Sequence, residues 1–155
     1  MIHREITDEY GRELVRLCGM LMKVMSISLG LDVGFLQKAF GGDEVGACMR
    51  VNYYPKCPQP DLTLGLSAHS DPGCLTVLLA DDRVKGLQVR KGDTWVTVQP
   101  VPNAFIVNIG DQIQVVSLSV RARVFFYLYL PKNCLLTSTL SSSTDECGGY
   151  GSGPY

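Results

Sequence analysis

The tightest grouping of chemically capable side chains in this sequence is Ala68-His69-Ser70-Asp71-Pro72-Gly73. On an extended backbone, residues i and i+2 point to the same side. His69 and Asp71 would therefore offer an imidazole and a carboxylate together, at a separation that one metal ion can bridge. One histidine and one carboxylate are two members of a facial triad, the ligand set that holds ferrous iron and leaves three positions open. Iron suits these borderline and hard donors; zinc fits the same pair less informatively. A three-residue pattern is short, however. A surface histidine beside an acid that opens the Pro72-Gly73 turn accounts for it at least as well when it stands alone.

A second polar row precedes it. In Arg50-Val51-Asn52-Tyr53-Tyr54-Pro55, the residues Arg50, Asn52 and Tyr54 share one face of an extended segment. A guanidinium, an amide and a phenol in line make a row of donors for carboxylates. Turned inward beside His69, the row suits an anionic organic acid. By periodicity alone, a solvated face of an edge strand is the simpler reading.

Several elements must position these groups. Asp8 to Leu29 reads as one amphipathic helix, capped by Thr7, with acids in its first turn and Gly30 as its stop. Leu14, Leu17, Leu21, Met25 and Leu29 form its apolar stripe. Met20, Met22 and Met25 are read as core-facing rather than as a soft-metal box. A shorter helix is expected from Asp32 to Phe40, ended by Gly41-Gly42. The period then changes to two. Strands are expected at Cys48–Tyr54, Leu62–His69, Leu75–Leu79, Ala104–Ile109 and Gln112–Val116, with a hairpin from Gly86 to Val98 turning at Lys91-Gly92-Asp93. The expected class is mostly β with N-terminal helices, an antiparallel sandwich or jelly roll packed against the long helix.

Composition narrows the function. The 14 basic and 15 acidic residues leave a net charge of -1, so no excess positive charge is available for nucleic acid or anionic membranes. The longest apolar run, the seven residues from Val124 to Leu130, falls short of the ~18 a membrane helix needs. The six cysteines form no CxxC pair, and Met1-Ile2-His3-Arg4-Glu5 is polar where an apolar signal core would begin. A cytoplasmic protein with reduced cysteines is the expectation. The Ser- and Gly-rich stretch 138–155 cannot bury enough apolar area to offset its ordering entropy and is expected to be disordered.

The long-range pattern adds a resemblance. Val51-Asn52-Tyr53-Tyr54-Pro55-Lys56-Cys57-Pro58-Gln59-Pro60, then Leu64-Gly65-Leu66-Ser67-Ala68-His69-Ser70-Asp71, is similar to the plant iron(II)/2-oxoglutarate-dependent dioxygenases. So are Gly86-Leu87-Gln88-Val89-Arg90 and Asn103-Ala104-Phe105-Ile106-Val107-Asn108-Ile109-Gly110-Asp111-Gln112. It resembles anthocyanidin synthase, flavonol synthase and the jasmonate-induced oxygenases, from about Tyr10 to Val116. The resemblance implies a double-stranded β-helix, in which His69 and Asp71 are iron ligands and Asn52 and Tyr54 touch 2-oxoglutarate. It implies iron(II), 2-oxoglutarate as co-substrate, ascorbate as reductant, dioxygen, and a small plant metabolite such as a flavonoid or a jasmonate-like acid as substrate. Arg50, on the face of Asn52 and Tyr54, leans the substrate towards an acid. No nucleic acid, membrane or specific protein partner is implied. The corresponding organisation is a helical support region at 1–45, a partial jelly-roll oxygenase core at 46–137 and the tail at 138–155.

The resemblance stops after Val116. The family has a second metal histidine further on, and beyond it an arginine-x-serine pair that grips the far carboxylate of 2-oxoglutarate. Here the only histidines are His3 and His69. Arg123, followed by Val124-Phe125-Phe126-Tyr127, is similar to the start of the family's last strand, but Phe125 stands where the serine would be. Arg123 and Arg121 are therefore weak candidates for the clamp. The chain reads as truncated at both ends, and a non-catalytic remnant is the alternative to an active oxygenase. The segment Val124–Leu130 is strongly β-prone and is expected to pair into the sheet.

Overall fold

The computed structural model describes residues 2–42, 46–119, 128–131 and 139–141. A 27-residue helix, α1 (Ile2–Ser28), opens the chain. It begins before Thr7, which therefore sits inside the helix rather than capping it. No glycine or proline interrupts residues 2–7, and Arg4 lies 3.9 Å from Asp8 one turn on. The other end closes as expected. Gly30 takes φ 72, its amide donates to Ile27, and the Leu31 amide donates to the Ser26 carbonyl, each at 2.9 Å. That pair of bonds is the glycine-terminated helix end that satisfies orphan carbonyls.

Helix α2 (Phe35–Ala39) is shorter than the expected span and ends at Gly41 and Gly42, both with positive φ. Ser26 joins the two helices. Its hydroxyl donates to the Met22 carbonyl at 2.8 Å and accepts the Leu36 amide at 3.2 Å, all within the core.

The strands are β1 (Cys48–Arg50), β2 (Leu75–Leu78), β3 (Gln88–Lys91), β4 (Thr94–Thr97), β5 (Ala104–Ile109), β6 (Leu128–Pro131) and β7 (Thr139–Ser141). Helix α3 (Asp111–Ser119) follows β5. One antiparallel sheet has the order β1-β7-β2-β5-β6, and β3 with β4 forms a separate hairpin. Gly92, at φ 61, makes the hairpin turn that the sequence places there.

Tyr10, Leu14, Cys18, Met22, Met25 and Leu29 of α1 pack with Leu36 against Cys74, Leu75, Val77, Phe105, Val107 and Ile113. The buried stripe is thus rotated slightly from the expected one: Cys18 and Met22 are inside, while Leu17 and Leu21 are partly covered. Each fully covered large side chain contributes ~1.5–3 kcal/mol. Met20, Val24 and Ile27 lie exposed elsewhere on α1.

Several expectations are corrected. Gln112–Val116 is part of α3 rather than a strand, because Ile113 and Ser117 are buried one helical turn apart. Leu62–His69 is not a strand: a 3-10 turn at Pro60–Leu62 precedes irregular chain, and no described strand pairs with it. The extended stretch at Cys48–Tyr54 forms ladder bonds only over Cys48–Arg50. Among the described residues, the 27-residue α1 stands with a five-stranded antiparallel sheet whose longest strand has six residues. Within 138–155, Thr139–Ser141 forms β7 between β1 and β2, where both of its edges find ladder partners. The remainder of that stretch, and residues 124–127 of the β-prone segment, lie outside the described residues. Among the described residues, no helix is long and apolar enough to cross a membrane.

Candidate metal centre

The site is built on the face of the sheet turned away from α1. Along β2, Leu75 and Val77 are buried against the core while Thr76 and Leu78 are half-covered on the opposite side. Antiparallel register sets Thr76 directly across from Asn108 of β5. Directly opposed residues put their side chains on one face, close enough to converge on a common partner.

That partner is Asp71. Its Oδ2 accepts the Thr76 hydroxyl at 2.6 Å and the Asn108 side-chain amide at 2.9 Å. The Asp71 carbonyl accepts the Asp111 amide at 2.8 Å, at the start of α3. Beside it, the Gly110 amide donates to the Cys74 carbonyl at 2.9 Å, and the Ser70 hydroxyl donates to Asp111 Oδ2 at 2.8 Å. This crossing needs glycine: a Cβ at Gly110 would overlap the Gly73 carbonyl and stand 2.9 Å from the Asp71 carbonyl oxygen.

His69 meets this carboxylate from the irregular segment ahead of β2. Its Nδ1 lies 2.9 Å from the Ser67 carbonyl oxygen, and its Nε2 lies 3.5 Å from Asp71 Oδ1. A carbonyl only accepts, so this contact suits a protonated Nδ1, and in the neutral ring with that tautomer Nε2 would present a lone pair. An imidazole nitrogen and a carboxylate oxygen thus face each other with unshared electrons. A proton between them is a poor fit, since a good N–H···O bond is ~2.7–3.2 Å long. Two ligands ~2.1 Å from one ion and roughly 90–110° apart stand ~3.0–3.4 Å from each other, slightly less than the observed 3.5 Å. The donor set fits ferrous iron. The His69 side chain is 52% exposed and that of Asp71 26%, so the site opens to solvent.

Other sequence candidates are less gathered. Arg50 ends β1, while Asn52 and Tyr54 lie on the exposed irregular chain that follows. Among the described residues, no hydrogen bond joins Asn52 or Tyr54 to His69 or Asp71; Tyr54 instead lies along Gly65. Arg123 and Arg121 lie outside the described residues, as does the His3 side chain. Among the described residues, no third histidine, cysteine or acid completes a metal-binding group. Sequence reasoning missed Thr76 and Asn108. A signal existed in the second case: Asn108 is the lone polar residue in the strand Ala104–Ile109, where an amide needs a partner.

Comparison with known proteins places the chain in a family. The family model described as 2OG-Fe(II) oxygenase superfamily matches residues 45–125, which include both His69 and Asp71. Jasmonate-induced oxygenase 1 of Arabidopsis thaliana is 68% identical over 116 residues, covering 75% of this chain and 29% of the relative. Flavanone 3-dioxygenase 2 of Oryza sativa subsp. japonica is 47% identical over 114 residues, covering 74% of this chain and 33% of that protein. A crystal structure of JOX2 in complex with 2OG, Fe and JA superposes with TM-score 0.73 at 55% identity, covering 90% of this chain and 40% of that one. The chain thus spans a minor part of the length of the relatives it matches. With the family model matching more than half of the chain, the chain belongs to the 2OG-Fe(II) oxygenase superfamily.

Proposed function

We propose that this chain carries the His69–Asp71 part of an iron(II)- and 2-oxoglutarate-dependent dioxygenase site acting on a small plant metabolite, with a jasmonate-like acid or a flavonoid as the substrate class. The observation that carries the reading is the opposed pair His69 Nε2 and Asp71 Oδ1, 3.5 Å apart. The kinship with jasmonate-induced oxygenases and a flavanone dioxygenase supports the substrate class. The jelly-roll architecture of the oxygenase core, with 1–45 as its helical support, and a cytoplasmic location belong to the same reading.

In this reading His69 and Asp71 hold the metal. Bound iron(II) supplies dioxygen activation coupled to oxidative decarboxylation of 2-oxoglutarate to succinate, with ascorbate as reductant. The chain's own work is to aim its donors. The Ser67 carbonyl holds His69 in the tautomer that leaves Nε2 unprotonated. By the family resemblance, the Asn52 amide and Tyr54 phenol would donate to the co-substrate's carboxylates and Arg50 would offer a guanidinium to a substrate acid, roles that require their exposed segment to turn towards the pair.

A second reading has its own observation. Without a third ligand among the described residues, the pair binds metal without turnover. The test is succinate release by the full chain with iron(II), ascorbate and 2-oxoglutarate. Release that disappears in His69→Ala supports the oxygenase. Metal binding with no release supports the second reading, and neither binding nor release contradicts both.

A further inference from the structure

Asp71 is held far more firmly than His69. Its Oδ2 accepts two side-chain hydrogen bonds, from Thr76 Oγ1 and Asn108 Nδ2, and its main-chain carbonyl accepts a third from Asp111. A carboxylate oxygen offers about two lone-pair sites, so Oδ2 is saturated. Only Oδ1 retains an open lone pair, and it is the oxygen turned towards His69.

We infer that Thr76 and Asn108 are positioning residues which reserve Oδ2 and force Asp71 to bind the metal through Oδ1 alone. The inference rests on the metal reading given above. One-oxygen binding matters because a carboxylate gripping through both oxygens occupies an extra coordination position. That position is one that co-substrate and dioxygen need. The two donors suit this role by their placement. They are register partners across β2 and β5, so the stiffness of the ladder fixes both. The opposite faces of the same strands carry Leu75, Val77 and Val107 into the core, which anchors the ladder against α1. Both donors are neutral, so they can orient the carboxylate without cancelling its charge. Among the described residues, His69 has one main-chain carbonyl, two residues away, to steady it. The carboxylate is the preformed ligand, and the imidazole closes onto the ion.

The experiment titrates Mn(II), a redox-stable stand-in for iron(II), into the full chain and into Thr76→Val, Asn108→Ala and Thr76→Ser, with circular dichroism reporting the fold. Outer partners of metal ligands change affinity by about 10–100-fold. Thr76→Val keeps the side-chain shape and removes the hydroxyl, so it should weaken Mn(II) binding in that range while the fold persists. Thr76→Ser, which restores the donor, should bind within about threefold of the parent, a recovery that a merely structural role would not produce. Asn108→Ala should weaken binding similarly. If it fails to fold, the two Thr76 variants decide the matter. Folded variants that bind like the parent overturn the positioning role. A parent chain that binds no Mn(II) overturns the metal reading beneath it, a result distinguishable from the first.

Discussion

Replacing Gly110 by alanine tests how the loop that carries Asp71 is locked to the rest of the fold. The added Cβ would overlap the Gly73 carbonyl, lying 2.7 Å from its carbon and 2.9 Å from the Asp71 carbonyl oxygen. Ordinary contact is ~3.5–4.0 Å, so the two segments must part by roughly 1.5 Å. Both obstacles are backbone, and no rotamer change relieves them. Parting weakens the Gly110-to-Cys74 and Asp111-to-Asp71 hydrogen bonds, worth ~1 kcal/mol each. Overpacking adds ~1–3 kcal/mol, while the stiffer unfolded chain returns ~0.4–1 kcal/mol. The expected net loss is ~3 kcal/mol. In thermal unfolding, at ~2–4 °C per kcal/mol for a chain of this size, Tm should fall by roughly 6–12 °C. The same variant should lose Mn(II) affinity, because Asp71 shifts with its carbonyl. A Tm within about 1 °C of the parent would show that the crossing at Gly73 is looser than described.

Other outcomes follow from the core and its thiols. Leu14→Ala, at a fully covered position of α1, should cost ~2–5 kcal/mol in urea denaturation. Ser26→Ala should cost ~1–3 kcal/mol in the same assay, since it strands the Leu36 amide inside the core. Burial, and secondarily the neighbouring Cys74 thiol, push the Cys18 thiol up to about 11 from 9.0. The folded state therefore holds that proton more tightly than the unfolded state does. This contribution is fully present below pH 9 and fades as pH rises towards 11. The loss approaches ~2–3 kcal/mol, and Cys18→Ala should flatten that part of the stability profile. A profile equally steep with and without Cys18 would contradict the assignment.

Much of the scaffold was legible because its signals are local. Gly30 and Gly92 announce a helix end and a turn by their freedom at positive φ, and both sit where expected. The alternation in Leu75–Leu78 and Ala104–Ile109 marks strands that pair with one another. What misled was composition read without partners. Leu62, Leu64 and Leu66 alternate like a strand, yet all three are exposed on chain that pairs with no described strand. Val115 and Val116 suggested a strand by their β-branching, but the close crossing at Gly110 and the burial of Ile113 and Ser117 fix a helix instead. The i, i+2 spacing placed the His69 and Asp71 side chains near each other, and they lie 3.5 Å apart although their segment is not a paired strand. Thr76 and Asn108 were invisible because their meeting depends on the register of two strands 32 positions apart, Thr76 against Asn108.

The most direct measurement of the central claim is the paramagnetic resonance signal of free Mn(II) as the chain is added. The account predicts that one ion per chain leaves solution, and that His69→Ala and Asp71→Ala each leave the free signal undiminished at the same protein concentration. Unaltered uptake by both variants would place the ion elsewhere and contradict the assignment of the facing imidazole and carboxylate as its ligands.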